Sequence, residues 1–400
     1  MNKGREITRG KTKILFEHPD QPDVIVMQSM DDITAGDGAR HDVIEGKGRL
    51  AAQTTARAFR LLNLCGFPTH YLSGGEDDDD NEILVRRAQM IPLEVVVRGI
   101  AAGSFVRRKP GFGRGTLLVP RVIEFFQKDD ARHDPLIEPD QIVAQGIASP
   151  NEVAAMGELA RLVFEVLAHA FRRREILLID LKLEFGRVAS GEGKGSLIIA
   201  DVIDNDAWRI WPGGREELML DKQLYRNLET VTPEALARVR DAYEEVAQIV
   251  GSFPQMRPGM VAVIAEDPSQ IERVNEIGRA AQGFGLAIGR HVASSTRTPG
   301  YVLQLVQQLD ASFSRLVLVT VGPPGLDAMV DAATTTPVIV ADRQSGENVA
   351  QAAAKALALD DTVLFGRVLL TQANARTAIL QADAQVNAPA PAPPPGTALA

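Results

Sequence analysis

Three short aliphatic runs in the last third of the chain limit its possible folds more than any other feature of the sequence. They read "VAVIA" (residues 261–265), "RLVLVTV" (315–321) and "TPVIVA" (336–341), and helical patterns separate them. Short aliphatic runs that alternate with helical segments indicate buried parallel strands joined by crossover helices. We therefore predict an α/β domain with a parallel sheet over residues 260–385.

The residues before this domain follow a different pattern, with short strands and hairpins first and long helices later. Thr232 and Pro233 mark the start of one such helix, because threonine is a favoured N-cap and proline a favoured first helical residue. We predict an α+β domain with two lobes around a cleft over residues 1–253, followed by a linker at 254–259. The Pro/Ala-rich residues 386–400 are predicted to form a disordered tail.

The composition excludes several classes of function. The 400 residues carry a formal net charge of −9, which argues against a general affinity for nucleic acid or anionic membranes. No apolar run approaches the length of a membrane span and the N-terminus lacks the apolar core of a signal peptide, so we expect a cytoplasmic protein. The single cysteine, Cys65, allows no internal disulfide, and its apolar surroundings predict a buried, inert thiol.

The stretch "ILLIDLKLEFG" (residues 176–186) begins as a buried strand and then places Asp180, Lys182 and Glu184 on one face. One interpretation is a solvated edge strand. The run of four aliphatic residues favours instead a covered strand whose charged groups face a cleft. A second aliphatic strand, "GSLIIAD", ends in Asp201. Two carboxylates at strand ends suit Mg²⁺, which takes oxygen ligands from the protein and from substrate phosphates.

Three further motifs carry groups that suit phosphate or a cleft. In "TRGKTKILF", Lys11 and Lys13 are predicted to leave the same face of an early strand beside a glycine. In "TAGDGAR", Asp37 lies between two glycines, which indicates either a plain loop or a flexible loop that carries an acid to the cleft. In "VVVRGIAAGSF", a strand that ends in Arg98 leads to small residues and Ser104, a combination that can bind one phosphate group.

Taken in order and spacing, six motifs resemble those of phosphoribosylaminoimidazole-succinocarboxamide (SAICAR) synthetase over about residues 5–250. They are "RGKTK", "TAGDGAR", "MIPLEVVVRGIAAGSF", "KDDARHDP", "DLKLEFG" and "ADVIDNDAWRIWP". The resemblance implies a two-lobed ATP-binding fold and an ATP-dependent, Mg²⁺-dependent ligation. ATP phosphorylates the carboxylate of carboxyaminoimidazole ribotide (CAIR), and the amine of L-aspartate then displaces phosphate.

The same resemblance assigns roles to individual residues. It implies that Asp180, Lys182 and Glu184 face the reacting groups. It implies that ATP is bound by Lys11, Lys13, Arg86, Met90, Glu184 and Asp201, with Glu184 and Asp201 also as metal ligands. It implies that the substrates contact Asp37, Arg98, Ser104, Lys128, Arg209 and Arg226.

The second domain resembles aminoimidazole ribotide (AIR) carboxylase, a three-layer flavodoxin-like fold, over roughly residues 260–345. Where that family has a Gly-Ser-x-Ser-Asp phosphate loop, this chain has Glu266, Asp267 and Pro268 at the start of the loop, and Thr296 replaces the proton-shuttling histidine. An acidic loop repels phosphate, and threonine is no base near neutral pH. We therefore expect a non-catalytic domain that joins chains into a homo-oligomer; the alternatives are an active carboxylase or a ligand-sensing module.

Overall fold

The computed structural model describes residues 2–36, 38–77, 80–341 and 344–386. Asp37 and residues 387–400, which hold nearly all of the predicted tail, lie outside these ranges. Within them, no helix is long and apolar enough to cross a membrane.

The first lobe contains most of the early strands and one long helix. Its elements are β1 (Glu6–Arg9), β2 (Lys13–Glu17), β3 (Val24–Ser29), β4 (Asp32–Ala35), β5 (Arg40–Val43), α1 (Lys47–Cys65), β6 (Tyr71–Gly74) and β7 (Glu82–Arg86). In the described ranges, five of these strands form an antiparallel sheet in the order β1-β2-β3-β7-β6, and β4 pairs with β5. Helix α1 packs its apolar face against this sheet.

The second lobe contains the longest strands of the chain. Its elements are β8 (Ala88–Ile100), α2 (Gly103–Arg108), β9 (Leu117–Gln127), β10 (Leu136–Ile137), α3 (Pro139–Ala144), α4 (Pro150–Arg172), β11 (Ile176–Val188), β12 (Leu197–Ala200), β13 (Trp208–Pro212), α5 (Gln223–Arg226) and α6 (Pro233–Gly251). Their sheet runs β10-β9-β8-β11-β12, and β13 also pairs with β11. Helix α4 covers the face of this sheet that carries the apolar core residues of β8 and β11.

The strand with the alternating charges, β11, is central in this sheet. It pairs with β8 on one side and with β12 and β13 on the other, and its residues are mostly buried. The interpretation of this stretch as a solvated edge strand is therefore wrong. The predicted start of α6 is confirmed, because the Thr232 hydroxyl accepts a hydrogen bond from the Ala235 N–H, with Pro233 as the first helical residue.

The second domain alternates strands and helices as its sequence predicts. Its elements are β14 (Met260–Ala265), α7 (Ile271–Gly283), β15 (Ala287–Val292), α8 (Pro299–Ser312), β16 (Leu316–Val321), α9 (Pro324–Ala332), β17 (Val338–Val340), α10 (Gly346–Leu357) and α11 (Thr362–Val386). The sheet is parallel with the order β15-β14-β16-β17. Alternate residues of its strands pack on α7 and α10 on one face and on α8 and α9 on the other, which is a three-layer flavodoxin-like arrangement.

The last helix, α11, packs on both domains, which the sequence did not predict. Val363 belongs to the apolar core of the first domain, whereas Leu364 and Val368 belong to that of the second. Arg367 donates one hydrogen bond to the Leu64 carbonyl in α1 (2.9 Å) and another to the Phe284 carbonyl after α7 (2.9 Å). The two domains are thus joined by a shared helix as well as by the segment at 254–259.

Candidate active site

The middle of β11 carries three charged side chains, Asp180, Lys182 and Glu184, each of which forms ion pairs. Asp180 lies opposite Arg98 of β8 and Arg209 of β13 in the strand register, and both guanidinium groups donate hydrogen bonds to its carboxylate. Arg98 also donates to Glu124 of β9 at 2.5 Å and is only 3% exposed. Because a buried charge needs a partner, this chain of ion pairs fixes the orientation of both arginines.

Two residues further along β11, Lys182 and Glu184 form a second charged group. The Lys182 ammonium lies 3.0 Å from Glu94 and 3.0 Å from Glu184, and Lys128 donates to Glu184 at 2.7 Å. Burial raises the pKa of Glu184, but Lys182, Lys128 and Lys13 outweigh burial and hold the pKa at about 2. Glu184 is therefore ionised at neutral pH, although it is almost fully buried.

A cleft of about 480 Å³ opens between the two lobes beside Glu184. One wall is apolar and includes Met90, which is 43% exposed. The polar end contains Lys13, Lys128, Glu184 and Asp201, and the Lys13 ammonium pairs with the Asp201 carboxylate. Burial lowers the pKa of Lys13 to about 8, although Glu184 opposes this shift. An apolar wall that leads to lysines and carboxylates suits a flat base with a polyphosphate tail.

A second cavity, the arginine pocket, has a volume of about 460 Å³. Its lining includes Ser104, Arg107, Arg114, Arg209 and Arg226. The pocket also depends on a glycine: Gly103 has φ of +54°, and a Cβ there would lie 2.6–2.8 Å from the Arg209 guanidinium. Four arginines and a hydroxyl around one cavity are suited to a phosphate group.

A smaller cavity of about 150 Å³, the central pocket, adjoins the arginine pocket. Asp180 and Lys182 line it, and it shares Ser104, Arg209 and Arg226 with the arginine pocket. Because Lys182 is hydrogen-bonded to Glu184, the central pocket lies directly beside the polar end of the cleft. Strand β11 thus borders both the cleft, through Glu184, and the central pocket, through Asp180 and Lys182.

The structure places most of the predicted site residues together, with three differences. Lys11 lies in the exposed turn before β2 rather than on the strand, and it does not line the cleft. Arg86 ends β7 at the exposed rim, where it donates to the Glu192 carbonyl at 3.3 Å. Arg98 does not line the arginine pocket but lies in the central pocket, in the ion-pair chain described above. Asp37 is outside the described residues.

Several residues of the site have no counterpart in the sequence prediction. Arg107 and Arg114 line the arginine pocket, and Arg114 donates hydrogen bonds from Nε and Nη2 to the two carboxylate oxygens of Glu216. Arg107 follows Ser104 within the same helix, and Arg114 lies in the glycine-rich "GFGRG", so both had a visible signal. Asp206 lines the central pocket and accepts hydrogen bonds from Lys222 (2.6 Å) and from a tyrosine hydroxyl of α6.

A cleft suited to a nucleotide beside an arginine-lined pocket suited to phosphate is the arrangement expected of an enzyme that acts on a nucleotide and a phosphorylated second substrate. The profile of the SAICAR synthetase family matches residues 6–243. A phosphoribosylaminoimidazole-succinocarboxamide synthase of Roseiflexus castenholzii is 52% identical over 247 residues, which cover 62% of this chain and 96% of that one. The chain belongs to the SAICAR synthetase family, the ligases of purine biosynthesis.

Two further relatives agree with this conclusion. A solved structure described as SAICAR synthetase in complex with ADP is 32% identical, covers 61% of this chain and 96% of its own, and has a TM-score of 0.54. A bifunctional phosphoribosylaminoimidazole carboxylase/phosphoribosylaminoimidazole succinocarboxamide synthetase of Drosophila melanogaster is 35% identical over 344 residues, or 84% of this chain and 79% of the relative. The likeness to the Drosophila protein extends beyond the ligase domain, in agreement with a fused carboxylase-like second domain.

Proposed function

We propose that this chain binds ATP in the cleft and CAIR in the arginine and central pockets, and that it joins CAIR to L-aspartate where the cavities meet. The observation that supports this most directly is the position of β11. Its Glu184 lines the cleft, its Lys182 and Asp180 line the central pocket, and the residue opposite Asp180, Arg209, reaches the arginine pocket. A substrate phosphate held by the arginines would thus leave the rest of CAIR directed toward the nucleotide.

The reaction requires two steps at the same carboxyl group of CAIR. The carboxylate oxygen of CAIR attacks the terminal phosphorus of ATP, and ADP leaves. The amine of aspartate then attacks the acyl carbon, the phosphate leaves with the oxygen it was bound to, and the nitrogen loses a proton. Both steps concentrate negative charge, so Lys182 and Lys128 are placed to stabilise the transferred phosphoryl group.

Mg²⁺ is part of this proposal. Among the described residues, no three His, Cys, Asp or Glu side chains form a ready-made metal cluster. Glu184 and Asp201 do line the same cleft, and both are paired to lysines there. Two carboxylates with nucleotide phosphates as further ligands fit Mg²⁺. Glu184 and Asp201 would hold the ion, which neutralises phosphate charge when bound.

For the second domain we propose a non-catalytic role. Glu266 occupies the position where a phosphate-binding loop would need free donors: its carboxylate accepts hydrogen bonds from the Ser294 hydroxyl (2.5 Å) and the Ser295 N–H (2.7 Å). A Cβ at Gly322 of the third loop would lie 2.6 Å from the Glu266 Cβ. Residues of the loops after β14, β15 and β16 thus pack around Glu266, and its carboxylate takes up donors that a phosphate would need. This supports an inactive domain rather than a second enzyme. Homo-oligomerisation through this domain and a cytoplasmic location stay predictions, and the native mass of the full chain tests the first.

The test is one purified sample in two separate reactions. The first contains CAIR, aspartate and Mg-ATP, and the second contains AIR and bicarbonate. We expect product in the first only. Substantial carboxylation of AIR would favour the bifunctional alternative and contradict the proposed role of Glu266.

A Glu184→Gln variant tests the site assignment within the ligase. We expect kcat/KM to fall at least 100-fold, or about 2.7 kcal/mol of transition-state stabilisation. The control is Glu229→Gln, which removes an exposed carboxylate outside the three cavities and should leave kcat/KM unchanged. Wild-type turnover in Glu184→Gln would refute the assignment.

A further inference from the structure

A fourth cavity, the junction cavity, lies where the two domains meet. Its volume is about 520 Å³, which is in the range of small-molecule sites. The first domain contributes residues from the end of α4, and the second contributes residues from the end of α10 and the first half of α11. The lining residues are His169, Arg172, Arg173, Lys355, Ala358, Leu359, Phe365, Val368, Leu369 and Gln372.

The floor of the junction cavity is apolar and contains a flat aromatic pair. The rings of His169 and Phe365 are stacked with centroids 4.3 Å apart and an angle of 8° between their planes. The His169 Nδ1 atom is hydrogen-bonded to the Thr362 hydroxyl at 3.0 Å, which fixes the plane of the stack. Val368 and Leu369 continue this surface along α11. A flat ring system would therefore find an apolar surface of matching shape.

The rim of the junction cavity is cationic. Arg172 and Arg173 reach it from the first domain and Lys355 from the second, and all three side chains are exposed. Cations at the end of α4 are expected from the helix dipole, but this does not explain a third cation that approaches from the other domain. Among the residues that the structure describes, no acidic side chain lines the cavity, and nearby Asp360 is already paired to Arg257 and Arg315.

We propose that the junction cavity binds an aromatic anion of about the size of a nucleoside monophosphate, with its ring on the apolar floor and its phosphate or other anionic group at the cationic rim. Such a ligand would contact both domains at once. It would also lie next to the catalytic strand, because β11 begins only three residues after Arg173. This site is separate from the three cavities of the ligase and does not depend on the function proposed for them.

Two probes test this proposal on the full chain by isothermal titration calorimetry. They are AMP and 1-naphthyl phosphate, each titrated into the wild type and into the rim variants described below, so that the difference isolates heat from the junction cavity. We expect this difference, for one of the probes or both, to correspond to a stoichiometry near one per chain. Inorganic phosphate, which has no ring, should bind at least tenfold more weakly than the better probe.

Variants of the cationic rim test whether the probes bind in the junction cavity. The double variant Arg172→Gln/Arg173→Gln should weaken the better probe at least tenfold, and Lys355→Gln, which changes only the second domain, should weaken it about three- to tenfold. Arg376→Gln is the matched control, because Arg376 is an exposed cation of α11 that does not line the cavity. Circular dichroism checks that each variant is folded. Failure of both probes to bind, or equal binding by the wild type and both rim variants, would overturn the proposal.

Discussion

Removal of the Glu266 carboxylate should destabilise the second domain and at the same time create an anion site in it. The residue is only 9% exposed, and its carboxylate accepts two short hydrogen bonds, from the Ser294 hydroxyl and the Ser295 N–H, and a longer one from the Thr296 hydroxyl. Burial raises the pKa of Glu266, but these hydrogen bonds outweigh burial and hold the pKa below its usual range. The carboxylate is therefore the form that the surrounding donors stabilise.

The size of the effect follows from these contacts. A hydrogen bond to a charged group contributes about 1.5–3 kcal/mol, and the desolvation of Glu266 offsets part of the two bonds. We expect Glu266→Ala to lower the free energy of unfolding of the second domain by about 2–3 kcal/mol. For a domain of this size, the midpoint of its thermal transition should fall by roughly 6–12 °C.

The same variant leaves a hydroxyl and an N–H without an acceptor, so inorganic phosphate should restore part of the loss. At 100 times its dissociation constant, a ligand that binds only the folded state adds about 2.7 kcal/mol. The assay is scanning calorimetry of the full chain with and without phosphate. Both tryptophans, Trp208 and Trp211, are in the first domain, so fluorescence reports separately that the ligase is intact.

The matched control is Asp267→Ala, which removes the neighbouring, more exposed carboxylate. Asp267 accepts a hydrogen bond from the Ser269 N–H and pairs with Arg297 at the surface, so its loss should lower the midpoint less than the loss of Glu266 does. It should not create a response to phosphate, because Glu266 still occupies the donors. An unchanged midpoint in Glu266→Ala, or an equal response of wild type and variant to phosphate, would refute the reasoning.

Three further perturbations have expected outcomes. Glu216→Gln removes the ion pair of Arg114 and frees this arginine for substrate phosphate. Because exposed ion pairs contribute up to about 1 kcal/mol, KM for CAIR should fall about two- to fivefold while KM for ATP does not change. An unchanged KM for CAIR contradicts this. Burial, with a smaller contribution from the nearby Lys13 charge, lowers the pKa of His70 to about 3. Below about pH 6.5 the unfolded chain therefore takes up a proton at His70 that the folded chain does not, so the free energy of unfolding falls as the pH is lowered. At pH 4.5 this amounts to about 2–3 kcal/mol, and urea titrations of His70→Leu should show a pH dependence smaller by that amount. A Cβ in Gly366→Ala would lie 2.3 Å from the Cys65 Sγ, so stability should fall by about 1–3 kcal/mol instead of rising as it does in an open helix, and a second substitution, Cys65→Ala, should recover part of the loss.

The sequence predicted the secondary-structure elements better than the contacts between distant side chains. Aliphatic runs and the capping pattern at Thr232 are local signals, and they located the parallel strands and the start of α6 correctly. The burial of Cys65 was also correct; burial raises the pKa of its thiol to about 12. Lys11 was placed on a strand because the chain reads as alternating there, but the strand begins only at Lys13, and a turn precedes it.

The partners of buried charges were beyond local reasoning. Arg98 has the sequence context of a phosphate ligand, yet its partners are Glu124, 26 residues away, and Asp180, 82 residues away. Strand register across the sheet decides whether Arg98 or Arg209 faces the arginine pocket, and a single sequence does not contain that information. Arg209, whose strand lies on the other side of Asp180, is the one that reaches the pocket.

The shared helix α11 has a genetic consequence. Val363 lies in the apolar core of the ligase, and Arg367 holds the end of α1 by its Leu64 carbonyl. A stop codon or frameshift between residues 254 and 361 would therefore remove part of the ligase's own core together with the second domain. Selection for purine synthesis alone would then be enough to keep the reading frame open through the second domain even if that domain catalyses nothing, and mutations could accumulate in its loops while its last helix stays constrained.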